Sequence, residues 1–275
     1  MEKIKYIAHI GDIHIRKYKR HDEYEKVFNK LYKKLYDLFN GVEYDFRRIV
    51  IAGDLFHDKV NVTNELYMFT YNFIKNLSEI SPLIIIPGNH DLLENNVDRI
   101  DTITPIVSAL KENGKTIGYL KESKCFVDKN IVWCHYSIFD GYKKPNIEKY
   151  KRKYGDNKVF IGLYHGPLSG AITDTGYVFD DTNISMDIFD GLDIVMMGDI
   201  HKRSFFKYKE TILAYPGSLI QQNFGESVSK HGFLFWDIEN KKYEEVNIYN
   251  EHSFYSFKIS DITDFDNINF NWLNK

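Results

Sequence analysis

Along the first half of this chain, short unbroken apolar runs alternate with longer stretches in which apolar residues recur every three or four positions. Lys5 to Ile10, Ile49 to Ala52 and Leu83 to Ile86 are runs of the first kind. They are rich in β-branched residues and predict strands covered on both faces. Between the first two, Tyr24, Val27, Phe28, Leu31, Leu35 and Leu38 keep helical spacing, and Asn40-Gly41 supplies a stop. A second helix is expected from Thr63 as N-cap, with Leu66, Phe69, Phe73, Ile74 and Leu77 on its inner face. Thr104-Pro105, read as N-cap and first helical position, and Asn113-Gly114 bracket a third. Three strand-then-helix units in succession predict a largely parallel sheet with helices packed on it.

The second half carries fewer helices. Strands are expected at Thr116 to Leu120, Cys125 to Val127, Ile131 to Cys134, Val159 to Tyr164 and Asp193 to Met197, with a charged helix over Ile147 to Tyr154. Phe205 to Tyr208, Ile212 to Tyr215, Gly232 to Ile238, Tyr243 to Ile248 and Phe254 to Ile259 alternate in polarity and predict a closing antiparallel sheet. No repeat or low-complexity linker divides the chain. The expected architecture is one α/β domain over residues 1–259, a four-layer α-β-β-α sandwich of two mixed sheets, followed by a short polar tail over 260–275.

Composition narrows the function without naming it. The 275 residues are 43% hydrophobic and 16% aromatic, enough to fill a substantial core. A formal charge of −3 means that a nucleic-acid partner would be gripped by a local patch or by bound metal, since whole-molecule attraction is absent. Met1-Glu2-Lys3-Ile4-Lys5 holds no apolar signal core, and the longest apolar runs are too short to cross a bilayer, so a cytoplasmic protein with no membrane partner is expected. Cys125 and Cys134 lack metal-type spacing and read as buried free thiols.

The chemistry concentrates where strands end. Five of them present Asp12 and His14, Asp54, Asn89 and His90, His165, and Asp199 and His201, most with an adjacent glycine. Open α/β sheets place their ligands at the carboxyl ends of strands. Any one of these residues alone reads equally well as a cap or a satisfied core group. Five together supply more oxygen and nitrogen ligands than one cation needs, whereas two divalent metals sharing a carboxylate, roughly 3.5–4 Å apart, would use them all.

In order and number these motifs resemble the calcineurin-like metallophosphoesterases: Asp12-Ile13-His14, Gly53-Asp54, Gly88-Asn89-His90-Asp91, His165, and Asp199-Ile200-His201. Within that superfamily the chain is most similar to the SbcD or Mre-eleven type of double-strand-break repair nuclease subunit and its bacteriophage recombination counterparts. Gly53-Asp54-Leu55-Phe56-His57, Gly162-Leu163-Tyr164-His165-Gly166 and Tyr215-Pro216-Gly217-Ser218-Leu219 carry that likeness, with Phe224-Gly225-Glu226 and Gly232-Phe233 after them. The resemblance implies a first metal on Asp12, His14, Asp54 and His201, and a second on Asp54, Asn89, His165 and Asp199, with Asp54 shared. It implies that His90 protonates the leaving oxygen or stabilises the transition state, and that His57 lies near the scissile phosphate. The implied activity is DNA hydrolysis as an exonuclease, with endonuclease action open, beside an SMC-like ATPase subunit of the SbcC type. One position departs from the pattern: Asp199 stands where the family usually has histidine. Three carboxylates and one hydroxide would balance two divalent ions, which favours manganese or magnesium over zinc. It leaves open whether Asp199 binds metal or orients a ligand.

Several features keep two readings. The basic loop Arg16, Lys17, Lys19, Arg20 could hold nucleic-acid phosphates or be a solvated charge run, and the run Lys149 to Lys153 reads as solvated. Tyr67, Met68 and Tyr71 lie off the core stripe of the second helix, where relatives form homodimers, though partial burial serves as well. His9 and His135 read as strand histidines, and Asp58 and Asp91 either orient His57 and His90 or are solvated. Two other functions stay in view: a phosphoesterase acting on phosphoproteins or small nucleotides, and a non-catalytic scaffold of the same fold.

Overall fold

Alternate residues of the apolar runs face two different cores, and this sets the architecture. The computed structural model describes residues 2–255 apart from Val60, Asp181 and Asn183. In chain order, β1 (Tyr6–Ile10), α1 (His21–Leu38), β2 (Arg47–Ala52), α2 (Asn64–Ile80), β3 (Leu83–Ile86), α3 (Thr104–Glu112) and β4 (Ile117–Tyr119) build most of one sheet and its cover. β5 (Lys124–Asp128), β6 (Ile131–Tyr136), α4 (Ile147–Tyr154), β7 (Val159–His165), β8 (Ile194–Gly198), β9 (Ser204–Tyr208) and β10 (Thr211–Tyr215) build the other. β11 (Gly232–Asp237) and β12 (Lys242–Asn247) return to the first. The strand orders are β12-β11-β1-β2-β3-β4 and β5-β6-β7-β8-β10-β9. Each sheet has a parallel centre and antiparallel edges, except that β4 closes its edge in parallel.

On β2, Val50 and Ala52 join Ile7, Ile84, Ile86, Trp133, Ile161, Leu163 and Trp236 in the core between the sheets. Ile49 and Ile51 point the other way, onto α1, α2 and α3. Burying both faces is what makes these runs apolar throughout. The Phe28 and Phe73 rings stack at 4.0 Å where α1 meets α2. Among the described residues, the outer face of the second sheet is covered by α4 and by the long connection between β7 and β8. Tyr136, Tyr164, Phe189 and Tyr215, all fully buried, fill that thinner layer. Arg48 on β2 ties the two sheets together, donating from Nε and Nη2 to the Asp128 carboxylate of β5 at 2.8 and 2.7 Å.

Three expectations are corrected. The late strands do not close one antiparallel sheet: β9 and β10 extend the second sheet, with β10 parallel to β8, while β11 and β12 extend the first beyond β1. Each hairpin pairs internally as its alternation requires, but the edge it joins is fixed by long-range contacts. Phe254 and Tyr255 are not in a strand, and the rest of that expected strand, with the 260–275 tail and the domain boundary before it, lies outside the described residues. Thr104 does not cap α3; the Asp101 carboxylate accepts from the Ile103 and Thr104 N–H groups at 3.0 and 2.7 Å.

Thr63 does cap α2, accepting from the Leu66 N–H. Met68 is exposed, whereas Tyr67 and Tyr71 are half-buried against the helical core. Cys125 and Cys134 are buried free thiols facing each other across β5 and β6. No helix among the described residues is long and apolar enough to cross a membrane.

Candidate metal centre

Parallel register brings the motifs to one edge. Ile10 pairs with Ile51 and Ala52 with Ile86, so Asp12, Asp54 and Asn89 leave neighbouring strands side by side. In the second sheet His165 pairs with Gly198, which places Asp199 beside it. The two edges meet with almost no side chain between them. A Cβ on Gly198 would strike the Ala52 carbonyl, and one on Gly53 would strike His165 Nδ1. Asp12, His14, Asp54 and Asp199 all take positive φ, at 52°, 49°, 53° and 96°. Left-handed backbone at several residues of one cluster is a cost on the order of 1–3 kcal/mol each, and such strain gathers at functional sites.

Asp54 is the centre. Its Oδ1 lies 3.4 Å from His165 Nε2 and its Oδ2 3.4 Å from His14 Nε2, so one carboxylate faces an imidazole on each side. Its Oδ1 also accepts from the His90 N–H at 2.9 Å. His165 donates from Nδ1 to the Ala52 carbonyl at 2.6 Å, and His201 from Nδ1 to Glu226 Oε1 at 2.7 Å. Tying Nδ1 to an oxygen leaves the Nε2 lone pair for the site, the usual preparation of a metal-binding histidine. His14 Nε2 and His201 Nε2 face each other at 2.9 Å. The Asp199 side chain turns toward the cluster, Oδ1 3.8 Å from His165 Nε2, while its N–H donates to Asp12 Oδ1 at 2.9 Å. Ligand-type atoms of Asp12, His14 and His201 lie within 4.8 Å of one another, as do those of Asp12, Asp54 and His165, and of His14, His57 and His90.

These contacts fit a divalent cation. Asp12 Oδ2 is buried with no hydrogen-bond partner, and the Asn89 carboxamide lies between Asp54 and His165. Two imidazole Nε2 atoms at 2.9 Å share at most one hydrogen between them. A cation among these atoms would give Asp12 Oδ2 a partner, and an oxygen and nitrogen set without sulfur suits manganese, magnesium, iron or zinc.

The buried groups shift one another's protonation. Burial pushes the Asp12 carboxyl up to about 7 and holds His14 well below the usual imidazole range. Asp54 falls below the ordinary carboxylate range because His165 and His14 outweigh its burial. His165 rises above its ordinary value because Asp54, Asp199 and Asp12 outweigh the same effect. A cation entering the cluster displaces those protons.

The flanking residues divide. His90 donates from Nδ1 to the His57 carbonyl at 2.6 Å, and its ring lies against His14 with centroids 4.8 Å apart. Arg16 donates to His57 Nε2 at 3.0 Å. Arginine cannot accept, so His57 is held with Nε2 unprotonated, and burial with the Arg16 charge lowers its pKa. Arg20 donates to both Glu23 oxygens at 2.6 and 2.7 Å and to the Gln221 carbonyl at 2.8 Å, while its Nη1 is buried with no hydrogen-bond partner. Lys17 is half-buried and Lys19 exposed on the same loop. Asp91 neither orients the His90 ring nor meets solvent. It is fully buried and accepts from the Phe56 and Gly88 N–H groups, locking two motif loops together.

Glu226 escaped the sequence reading as a site residue. Besides His201 it accepts from Ser218 Oγ, Gln222 N–H and Asn223 Nδ2. Its one signal was its place in Phe224-Gly225-Glu226.

Comparison with known proteins finds relatives over most of the chain. An uncharacterised protein, R555, of Acanthamoeba polyphaga mimivirus is 39% identical over 263 residues, which are 94% of this chain and 19% of that protein. The SbcD component of the nuclease SbcCD from Staphylococcus saprophyticus is 24% identical over 216 residues, 70% of this chain and 56% of that one. The uncharacterised metallophosphoesterase YhaO of Bacillus subtilis is 24% identical over 203 residues, 68% and 44% of the two chains. The chain thus spans about a fifth of the first relative and about half of the other two. The sequence pattern of the calcineurin-like phosphoesterases matches residues 5–203, which carry every one of the five motifs, and the chain belongs to that family.

Proposed function

We propose that this protein is a metal-dependent DNA nuclease working by a two-metal mechanism. The observation that carries the reading is Asp54, one carboxylate set between His14 and His165 with an oxygen toward each. Asp12, His14, Asp54 and His201 would hold one divalent ion, and Asp54, Asn89, His165 and Asp199 the other. Such ions, when bound, neutralise a phosphodiester and ready water for in-line attack at phosphorus. Asp199 supplies a third carboxylate where the family usually has histidine, which supports manganese or magnesium over zinc.

The remaining steps belong to the chain's own groups. His90 carries hydrogen on Nδ1, held by the His57 carbonyl, and that bond fixes the ring beside His14. From there its protonated form serves the leaving oxygen. His57, kept neutral at Nε2 by Arg16, shapes the rim of the site. Lys17 and Lys19 extend outward from the loop after His14 as contacts for phosphates of the strand. Asp12, His14, Asp54 and His165 are buried, while Asn89, His90, Asp199 and His201 are partly open, so substrate approaches from their side. The relation to the SbcD component of the nuclease SbcCD supports DNA as substrate and an SbcC-type ATPase as partner.

The test compares linear DNA, supercoiled plasmid and a phosphorylated peptide in manganese. Cleavage of linear DNA, abolished in Asp54→Asn and cut at least a hundredfold in His90→Ala, is the expected result. Preferential hydrolysis of the phosphopeptide refutes the nuclease reading, and DNA cleavage that survives both substitutions refutes the assigned site.

A further inference from the structure

A cleft opens beside His201 and Asp199. It encloses about 260 Å³ and is lined by Thr173, Thr175, Phe179, Lys202 and Asn223 together with His201. That is on the order of nine waters at their liquid volume, room for one heteroaromatic ring system.

Its outer wall is a small hairpin between β7 and β8. Ile172 bridges Val178, the Thr173 N–H donates to the Tyr177 carbonyl at 2.9 Å, and the Phe179 N–H donates to the Ala171 carbonyl at 2.9 Å. Leu168 and Ala171 are fully buried and anchor its base. Phe179 packs partly against the outer core of the second sheet, so its ring is held firmly while still lining the cleft. Tyr177 meets Phe179 edge-on at 5.0 Å and is 62% exposed at the tip. The hairpin is also propped from the other side. A Cβ on Gly225 would come within 2.9 Å of Thr175 Cγ2, so the loop that carries Glu226 already touches it.

The lining selects among ligands. Asp174 and Glu226 border the cleft and disfavour a second phosphate in it. An aromatic wall, threonine hydroxyls, an amide and one ammonium suit a flat, uncharged ring with polar edges. We propose that this cleft is a nucleobase subsite, taking the base of the nucleotide whose phosphate lies at the Asp54 cluster, with Phe179 as its stacking wall. The inference rests on the nucleic-acid reading above and adds that the enzyme grips a base as well as a backbone.

The probe is 2-aminopurine deoxyriboside 5′-monophosphate in magnesium, whose emission falls when its ring stacks. The full chain is expected to quench it and to bind it on the order of tenfold more tightly than deoxyribose 5-phosphate, the factor one stacked base contributes. Phe179→Leu keeps an apolar anchor, removes the aromatic face and is expected to erase that preference. If this variant melts early, Thr175→Leu, which fills the cleft from the exposed tip of the hairpin without adding an aromatic face, is expected to do the same. Equal affinity of the unaltered protein for the two phosphates overturns the subsite. So does a preference that persists in either variant. The readout needs no turnover. Protein that discriminates the base yet cleaves no DNA keeps the subsite and loses the nuclease reading, and protein that cleaves DNA without discriminating does the reverse.

Discussion

Gly88→Ala puts a single methyl group against Asp54 at the heart of the centre. The added Cβ would overlap the Asp54 carboxylate and Asp54 N and lie 2.7 Å from His165 Cε1. None of these can yield easily. Asp54 N is backbone, and the carboxylate is buried and held by the His90 N–H at 2.9 Å. Relief comes when residue 88 retreats by about 1 Å toward ordinary contact, carrying Asn89 and His90 with it. The His90 N–H to Asp54 bond then stretches beyond bonding range, and a charge-assisted hydrogen bond worth about 1.5–3 kcal/mol is lost. Overpacking adds about 1–3 kcal/mol. Together they predict a loss of about 3–5 kcal/mol, or roughly 10 °C in melting temperature for a chain of this size. A 1 Å displacement of reacting groups costs about a hundredfold in rate. The assay is metal-dependent hydrolysis of bis(p-nitrophenyl) phosphate, with melting curves in the presence and absence of manganese. Gly118→Ala is the control, because its Cβ would meet nothing closer than the Leu83 carbonyl at 3.7 Å. Hydrolysis within threefold of the parent, with unchanged stabilisation by manganese, would refute the claim that this glycine sets the position of Asp54.

Glu226→Gln keeps the shape of the group that orients His201 but removes its charge, and is expected to weaken metal binding 10–100-fold by calorimetry. Unchanged affinity would mean that His201 is positioned by something else. Burial lowers His9 to about 3 and His135 to about 4, so both fold neutral. Below an unfolded value near 6.5 the unfolded chain binds the extra protons, and stability falls as pH falls; above it neither residue contributes. His9→Gln should therefore spare about 2 kcal/mol of the loss between pH 6.5 and 5, and parallel stability curves for variant and parent would contradict it. Asp128→Ala strands the buried Arg48 guanidinium between the sheets, with an expected cost of about 3 kcal/mol in urea denaturation. Recovery in the Arg48→Met, Asp128→Leu pair would separate a lost ion pair from lost packing.

Much of the site was legible because a parallel sheet aligns the carboxyl ends of its strands. Once Ile49 to Ala52 and Leu83 to Ile86 are read as buried neighbours, Asp54 and Asn89 must emerge side by side. Residue type completed the argument, since imidazoles and carboxylates after apolar runs have few other uses in such number. Features set by tertiary contact were harder to read. Two hairpins with the same alternation went to opposite sheets, because pairing within a hairpin is local and the edge it joins is not. Asp91 and Glu226 sit in loops without period. No periodicity there distinguishes a buried carboxylate tying two loops from a solvated one.

The backbone of the site explains why short acidic residues hold three of its positions. Four of its groups stand on left-handed backbone, and three of the four are aspartates. Such a conformation reverses the chain immediately after the strand and turns the next side chain back over the sheet edge, where a partner strand's ligand can reach it. Aspartate tolerates this backbone because its short polar side chain bonds locally. At φ 96° the backbone of Asp199 lies farthest of the four from the ordinary left-handed well at about +57°, and its own N–H is given to Asp12. Aspartate at this position is thus compatible with both demands on it, a strained turn and an inward oxygen. Asp199→His should then be judged on two readouts at once, melting temperature for the turn and metal preference for the oxygen. A shift toward zinc without loss of stability would assign the departure from the family pattern to metal choice alone.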